Sequence, residues 1–122
     1  MGKQILIVDD EPDMVDMLKI RLEAAGYSTI AAGDGQEALR LAREGKPDLI
    51  ILDLMLPKLD GYKVCRLLKF DKKYKHIPII MFTARAQDSD IKLGKDIGAD
   101  AYVTKPFDAQ VLMGKVRQLL GE

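Results

Sequence analysis

Leu49-Ile50-Ile51-Leu52-Asp53-Leu54-Met55-Leu56-Pro57 is the stretch whose reading decides the fold. Four aliphatic residues in a row, with no alternation, describe a strand buried on both faces, as in a parallel sheet held between layers of helices. The run ends abruptly in a carboxylate. In open α/β sheets ligands bind outside the carboxyl ends of the strands, so Asp53 falls where chemistry occurs and not in the core.

The chain has 122 residues, enough for one domain with a core of its own, and the reading is a single domain over residues 1–122 with no effector domain in this chain. It is 48% hydrophobic and 31% charged, an ordinary globular balance, and its apolar runs are too short to span a bilayer. No signal-peptide pattern opens it. The lone cysteine, Cys65, cannot form an internal disulfide, which suits a reducing, cytoplasmic location. Nineteen basic and nineteen acidic residues cancel and no basic stripe recurs, so neither nucleic acid nor membrane is expected as a direct partner.

Outward from the central strand the same pattern repeats. Gln4 to Val8 is a strand followed at once by Asp9, Asp10 and Glu11. Pro12 fits a first helical turn that Asp10 or Glu11 would cap, with Met14, Leu18, Leu22 and Ala25 on the inner face. Ser28 to Ala32 is a second strand, and Ala38, Leu39 and Ala42 line the helix begun by Asp34-Gly35. After Pro57, a helix from about Gly61 to Phe70 turns Val64, Cys65 and Leu68 inward. Pro78 to Phe82 is a fourth strand ending in Thr83, and Asp88 to Ile97 is a helix with a thin inner face of Ile91, Gly94 and Ile97. Ala101-Tyr102-Val103 is a brief fifth strand before Thr104-Lys105-Pro106-Phe107, and Asp108 to Leu120 is a helix with Leu112, Val116, Leu119 and Leu120 inward. Five strands alternating with five helices imply a doubly wound parallel α/β sheet with right-handed crossovers.

The informative residues are those at strand ends. Asp9 and Asp10 follow the first strand, Asp53 the third, Thr83 ends the fourth and Lys105 follows the fifth, so all five gather on one edge. Carboxylates brought within 4 Å repel by about 4 kcal/mol per pair at an effective dielectric near 20, which calls for a cation. An oxygen-only ligand set favours Mg²⁺, whereas one His76 and one Cys65 do not make a zinc site. The arrangement suits phosphoryl transfer to Asp53, with Lys105 and the metal offsetting phosphoryl charge and the Thr83 hydroxyl donating to it. Taken singly each residue has a plainer role. Asp10 caps a helix, Asp53 forms a turn, Thr83 bonds backbone and Lys105 is solvated. Their joint placement at four strand ends is what those roles do not predict.

Four motifs carry a resemblance: ILIVDDEP, PDLIILDLMLPKLDGY, IPIIMFTARA and GADAYVTKPF. Over essentially its whole length the chain resembles the receiver domains of two-component response regulators. The resemblance implies the flavodoxin-like (βα)5 sheet with strand order 2-1-3-4-5, an order that general treatments of the fold illustrate with the chemotaxis receiver. It implies Asp53 as phosphoacceptor, Asp10 as a direct Mg²⁺ ligand, Asp9 as a ligand through water and the Met55 carbonyl as a backbone ligand. Lys105 would bind the phosphoryl group, with Lys105-Pro106 cis. Thr83 and Tyr102 would be the switch residues, acting on the surface of the fourth helix, fifth strand and fifth helix. The implied partners are a sensor histidine kinase or histidine phosphotransfer protein, and a downstream protein or an effector domain. A phosphorylation-dependent homodimer is a further implied assembly. Such a domain is a signalling phosphoacceptor and not an enzyme with a separate substrate, although it catalyses its own phosphorylation and dephosphorylation.

By the same resemblance, the small Ala84 would leave Asp53 open to a donor, and Met55 and Arg85 occupy positions that in such domains tune phosphoryl hydrolysis. One departure concerns the winged-helix members, which commonly carry an acid pair after Gly-Ala and a glutamate early in the last helix. Here those positions are Asp100-Ala101 and Val111, which leaves a close relative of those domains open but gives ground to a stand-alone receiver or one from another output architecture. A haloacid-dehalogenase-like hydrolase would need an acid at Met55, and a flavodoxin would need a Ser/Thr/Gly loop at Asp9-Asp10-Glu11. The alternative within the family is a degenerate receiver acting only as a protein-docking module.

Overall fold

The strand-end residues are carried by β1 (Gln4–Val8), β2 (Ser28–Ala32), β3 (Leu49–Leu52), β4 (Ile79–Thr83) and β5 (Ala101–Thr104). Between and after them come α1 (Pro12–Ala24), α2 (Gly35–Gly45), α3 (Gly61–Lys69), α4 (Asp88–Asp96) and α5 (Ala109–Leu119). A computed structural model describes residues 2–84 and 87–122, so Arg85 lies outside the described residues. All strand pairs are parallel, in the order β2-β1-β3-β4-β5.

The register explains why the strands read as unbroken apolar runs. Leu6, Val8, Ile50, Leu52, Ile79 and Met81 face a core completed by Ala38, Leu39 and Ala42 of α2 and Val64, Cys65 and Leu68 of α3. Their sequence neighbours Ile5, Ile7, Leu49, Ile51, Ile80 and Phe82 face the other way, onto Leu18 and Leu22 of α1 and Leu112 and Val116 of α5. Side chains alternate across a strand, so a sheet covered on both sides needs apolar residues at every position. Each fully buried Leu or Ile stabilises the fold by about 1.5–3 kcal/mol.

Several details depart from the sequence reading. The inner face of α1 does not extend to Ala25, which is exposed after the helix ends at Ala24. Tyr27, at 7% exposure, closes that core instead, and its hydroxyl donates to Glu122 Oε1 at 2.6 Å. Neither Asp10 nor Glu11 caps α1. Glu11 occupies the cap position but its side chain makes no capping hydrogen bond, and its N–H donates to Asp9 Oδ1 at 2.9 Å. In α5, Leu120 lies just past the helix and is buried, while Leu119 is only half-buried.

Three other helix starts are capped as turn chemistry prescribes: Asp34, Asp60 and Asp108 accept N–H groups of Glu37, Lys63 and Gln110, whereas Gln87 opens α4 without a side-chain capping bond. The bond from Glu37 N–H chiefly holds the Asp34 carboxyl below its ordinary range. The last turns carry Arg21, Arg43, Arg66, Lys69, Lys95 and Arg117. The thin face expected of α4 is present. Ile91 and Ile97 are half-buried, and among its described residues only Gly94 is buried.

Candidate functional site

Backbone pairing runs one residue past the strands and thereby fixes the site. Asp9 N–H donates to Ala32 O at 3.1 Å, Asp53 N–H to Val8 O at 3.0 Å, and Lys105 N–H to Thr83 O at 2.8 Å. The side chains that follow β1, β3 and β5 are therefore set beside one another by the sheet itself. Asp9 and Asp53 are 3% and 4% exposed and Thr83 is fully buried, whereas Asp10 is exposed.

Lys105 binds these acids together. Its Nζ donates to Asp9 Oδ2 at 2.8 Å and Asp53 Oδ2 at 3.0 Å, with Glu11 Oε1 at 3.4 Å. The ammonium lies 5.0 Å from the centre of the Phe82 ring, which Phe107 braces edge-on, and the Lys105-Pro106 peptide is cis. Burial alone would lower the Lys105 pKa, but hydrogen bonds to Asp9 and Asp53 carry it above its ordinary value. Burial raises the Asp9 carboxyl, and the bonds from Lys105 and Glu11 N–H only partly offset this. The remaining oxygen of Asp53 accepts Met55 N–H at 3.1 Å. The repulsion anticipated from the sequence is thus met in part by a cation from the chain itself.

Asp9, Asp10, Glu11 and Asp53 each offer a carboxylate oxygen, and these oxygens lie within 4.8 Å of one another. An all-oxygen set of this charge fits a hard divalent ion. Asp10, Glu11, Asp53, Met55, Thr83, Ala84 and Lys105 line a cleft of about 320 Å³. Every residue singled out at a strand end borders this cleft or, for Asp9, bonds to its lysine. Glu11 was missed as a member. Its signal is a third consecutive acid before Pro12, a position that also reads as a helix cap.

Tyr102 is half-buried and packs against the core on the α2/α3 side, its ring against Gly94 of α4. A Cβ on Gly94 would lie 3.2 Å from that ring. His76 is exposed, and burial pushes the Cys65 thiol up to about 12.

Residues 5–117 match the family described as response regulator receiver domain. Over 120 residues the chain is 48% identical to the alkaline phosphatase synthesis transcriptional regulatory protein PhoP of Bacillus subtilis, covering 98% of this chain and 49% of that protein. It is 49% identical over 117 residues to the DNA-binding dual master transcriptional regulator RpaA of Synechocystis, covering 96% and 48% respectively. The chain therefore spans about half the length of the curated relatives it matches. Among solved structures, the receiver domain of the sensor histidine kinase PA1611 from Pseudomonas aeruginosa, crystallised with magnesium in its active-site cleft, superposes with a TM-score of 0.91. It is 31% identical, and the match covers 100% of both chains. Sequence match, strand order and the acids gathered at one sheet edge agree, and the chain belongs to the receiver domains of two-component response regulators.

Proposed function

We propose that Asp53 accepts a phosphoryl group from the phosphohistidine of a sensor histidine kinase or histidine phosphotransfer protein. A carboxylate oxygen of Asp53 attacks phosphorus. The new O–P bond forms as the P–N bond breaks, and the electron pair returns to the imidazole, which takes up a proton. The observation that best supports this reading is the Lys105 ammonium bonded to Asp53 and Asp9 at once, because a cation already held at the acceptor oxygen can follow charge onto an arriving phosphoryl group.

Asp10 and Asp53 would hold Mg²⁺ directly, Asp9 through water, and the Met55 carbonyl would add a backbone ligand, with Glu11 close enough to contribute charge. A bound divalent ion would neutralise phosphoryl charge and orient the donor. Thr83, buried at the end of β4 and bordering the cleft, would donate its hydroxyl to a phosphoryl oxygen. The Thr83 movement would be relayed to Tyr102 and hence to the surface formed by α4, β5 and α5. The domain catalyses its own phosphorylation and dephosphorylation and acts on no separate substrate.

Downstream, the two named relatives are transcriptional regulators about twice as long, which supports an output through a DNA-binding effector in place of direct contact by this domain. A homodimer through the α4-β5-α5 surface would have a weak charge network: Asp100 is held by Lys69 at 2.7 Å, and Val111 is exposed where an acid is common. Action in the cytoplasm is part of this reading, supported by the response-regulator relatives; among the described residues no helix is long and apolar enough to cross a membrane. A degenerate docking module has no use for the complete acid–lysine set, so that alternative is dropped.

Incubation with acetyl phosphate and MgCl₂, followed by mass spectrometry, tests the assignment. One phosphoryl group is expected on the wild type and none on Asp53→Asn. Equal labelling of the two ends it.

A further inference from the structure

Asp53 is connected to α4 by a path that does not involve Thr83 or Tyr102. The segment after Asp53 closes on itself: Leu54 O accepts N–H groups of both Leu56, at 3.1 Å, and Gly61, at 2.9 Å. Gly61, the first residue of α3, lies flush on the backbone of Asp53 and Leu54. A Cβ there would collide with the Asp53 carbonyl oxygen and stand 2.7 Å from Leu54 Cα. A shift of the Asp53–Leu54 backbone must therefore move the start of α3. The next residue, Tyr62, packs its ring on the α2/α3 core and donates its hydroxyl to the Asp90 carbonyl at 2.9 Å.

Asp90 O is also the acceptor that the helical ladder assigns to Gly94 N–H. The Tyr62 hydroxyl thus takes a second lone pair on a carbonyl in the opening turn of α4. That helix buries no described side chain completely, so it is held by few strong contacts and one hydrogen bond weighs heavily on its position.

We infer that Tyr62 is a positioning residue that ties α4 to the backbone of the phosphoacceptor, giving the state of Asp53 a second route to α4 through the first turn of α3. This rests on the reading of Asp53 as phosphoacceptor. Tyr62→Phe removes the hydroxyl and keeps the ring, so the fold is retained and a urea titration verifies it.

The experiment measures deuterium uptake in wild type, Tyr62→Phe and Asp53→Asn, each in MgCl₂ with and without acetyl phosphate, with intact mass recording phosphorylation. Without acetyl phosphate, uptake by α4 is expected to be about fivefold faster in Tyr62→Phe, the equivalent of one net hydrogen bond, with β1 and β3 unchanged. With acetyl phosphate, Tyr62→Phe is still labelled. Its α4 response falls below half that of wild type, while β5 responds as before. Equal α4 responses in the two proteins overturn the inference. So does a wild-type α4 that ignores labelling, or an acceleration spread evenly over α4, β1 and β3. If intact mass shows no label on wild type, the phosphoacceptor reading has failed and the coupling falls with it; a labelled Tyr62→Phe with a full α4 response sinks the coupling alone.

Discussion

Replacing Asp9 by asparagine removes one buried charge while preserving shape. At 2.8 Å, the Asp9–Lys105 attraction is about 6 kcal/mol at an effective dielectric near 20. Against it stand the repulsion from Asp53, about 3.5 kcal/mol for oxygens within 4.8 Å, and a desolvation cost of several kcal/mol for a carboxylate 3% exposed. The opposing contributions exceed the attraction by about 1–2 kcal/mol, and Asn retains an Oδ1 to accept Glu11 N–H. Asp9→Asn should therefore be more stable than wild type by about 1 kcal/mol near neutral pH without Mg²⁺. The pH dependence follows from the raised Asp9 pKa. The folded chain holds that proton more tightly than the unfolded one, so ionised Asp9 opposes folding at neutral pH, and the cost disappears as pH falls through the raised value to below 3.8. The advantage of the variant should shrink over the same range. Mg²⁺ reverses the order: wild type gains about 1.4 kcal/mol for each tenfold excess over its Kd, and the variant gains less. Urea unfolding at several pH values, with and without MgCl₂, measures all three effects. A variant destabilised by more than about 1 kcal/mol without metal, or an advantage that grows as pH falls, refutes the reasoning.

Lys105→Met leaves Asp9 and Asp53 buried without their cation and should cost about 3–5 kcal/mol, a Tm drop well above 10 °C by calorimetry. Gly61→Ala forces a Cβ against backbone atoms and should cost about 1–3 kcal/mol in urea unfolding while slowing the labelling of Asp53. Cys65, with its thiol raised to about 12 by burial, should resist iodoacetamide at mildly alkaline pH until urea unfolds the chain, so its alkylation rate will track unfolding. Neither Met55 nor Arg85, the two positions expected to tune hydrolysis, is an amide or carboxylate that would activate water, so phosphoryl-Asp53 should be lost slowly in MgCl₂ buffer by time-resolved mass spectrometry.

The strands were legible because burial on both faces leaves a one-dimensional trace: Leu49 to Leu52 and Ile79 to Phe82 admit no polar residue. The site was legible because parallel strands bring all their carboxyl ends to one edge, so acids at chain positions far apart group together from the order of strands alone. What escaped depended on side-chain reach and helix phase. Glu11 was assigned to a cap, although its side chain extends toward Lys105. Ala25 continued the helical spacing of α1, but Tyr27 supplied the larger apolar surface and took the core position. The Tyr62–Asp90 bond joins residues on consecutive helices through a backbone carbonyl, which no side-chain pattern records.

The caps and last turns of the helices have a consequence at the scale of the whole molecule. All the helices begin at the edge of the sheet where Asp53 lies, and there the capping acids and the four clustered acids outweigh the partial positive charge of the helix N-termini, so the chain's zero net charge conceals an electrical polarity, negative at that edge and positive at the far one. Such a field draws metal cations inward and slows small anions on approach. Added salt should therefore act in opposite senses on the two reactants, weakening cation capture while easing the arrival of a free acyl phosphate. A donor borne on a protein surface with a basic rim would escape that barrier, which gives protein donors a kinetic advantage at low ionic strength.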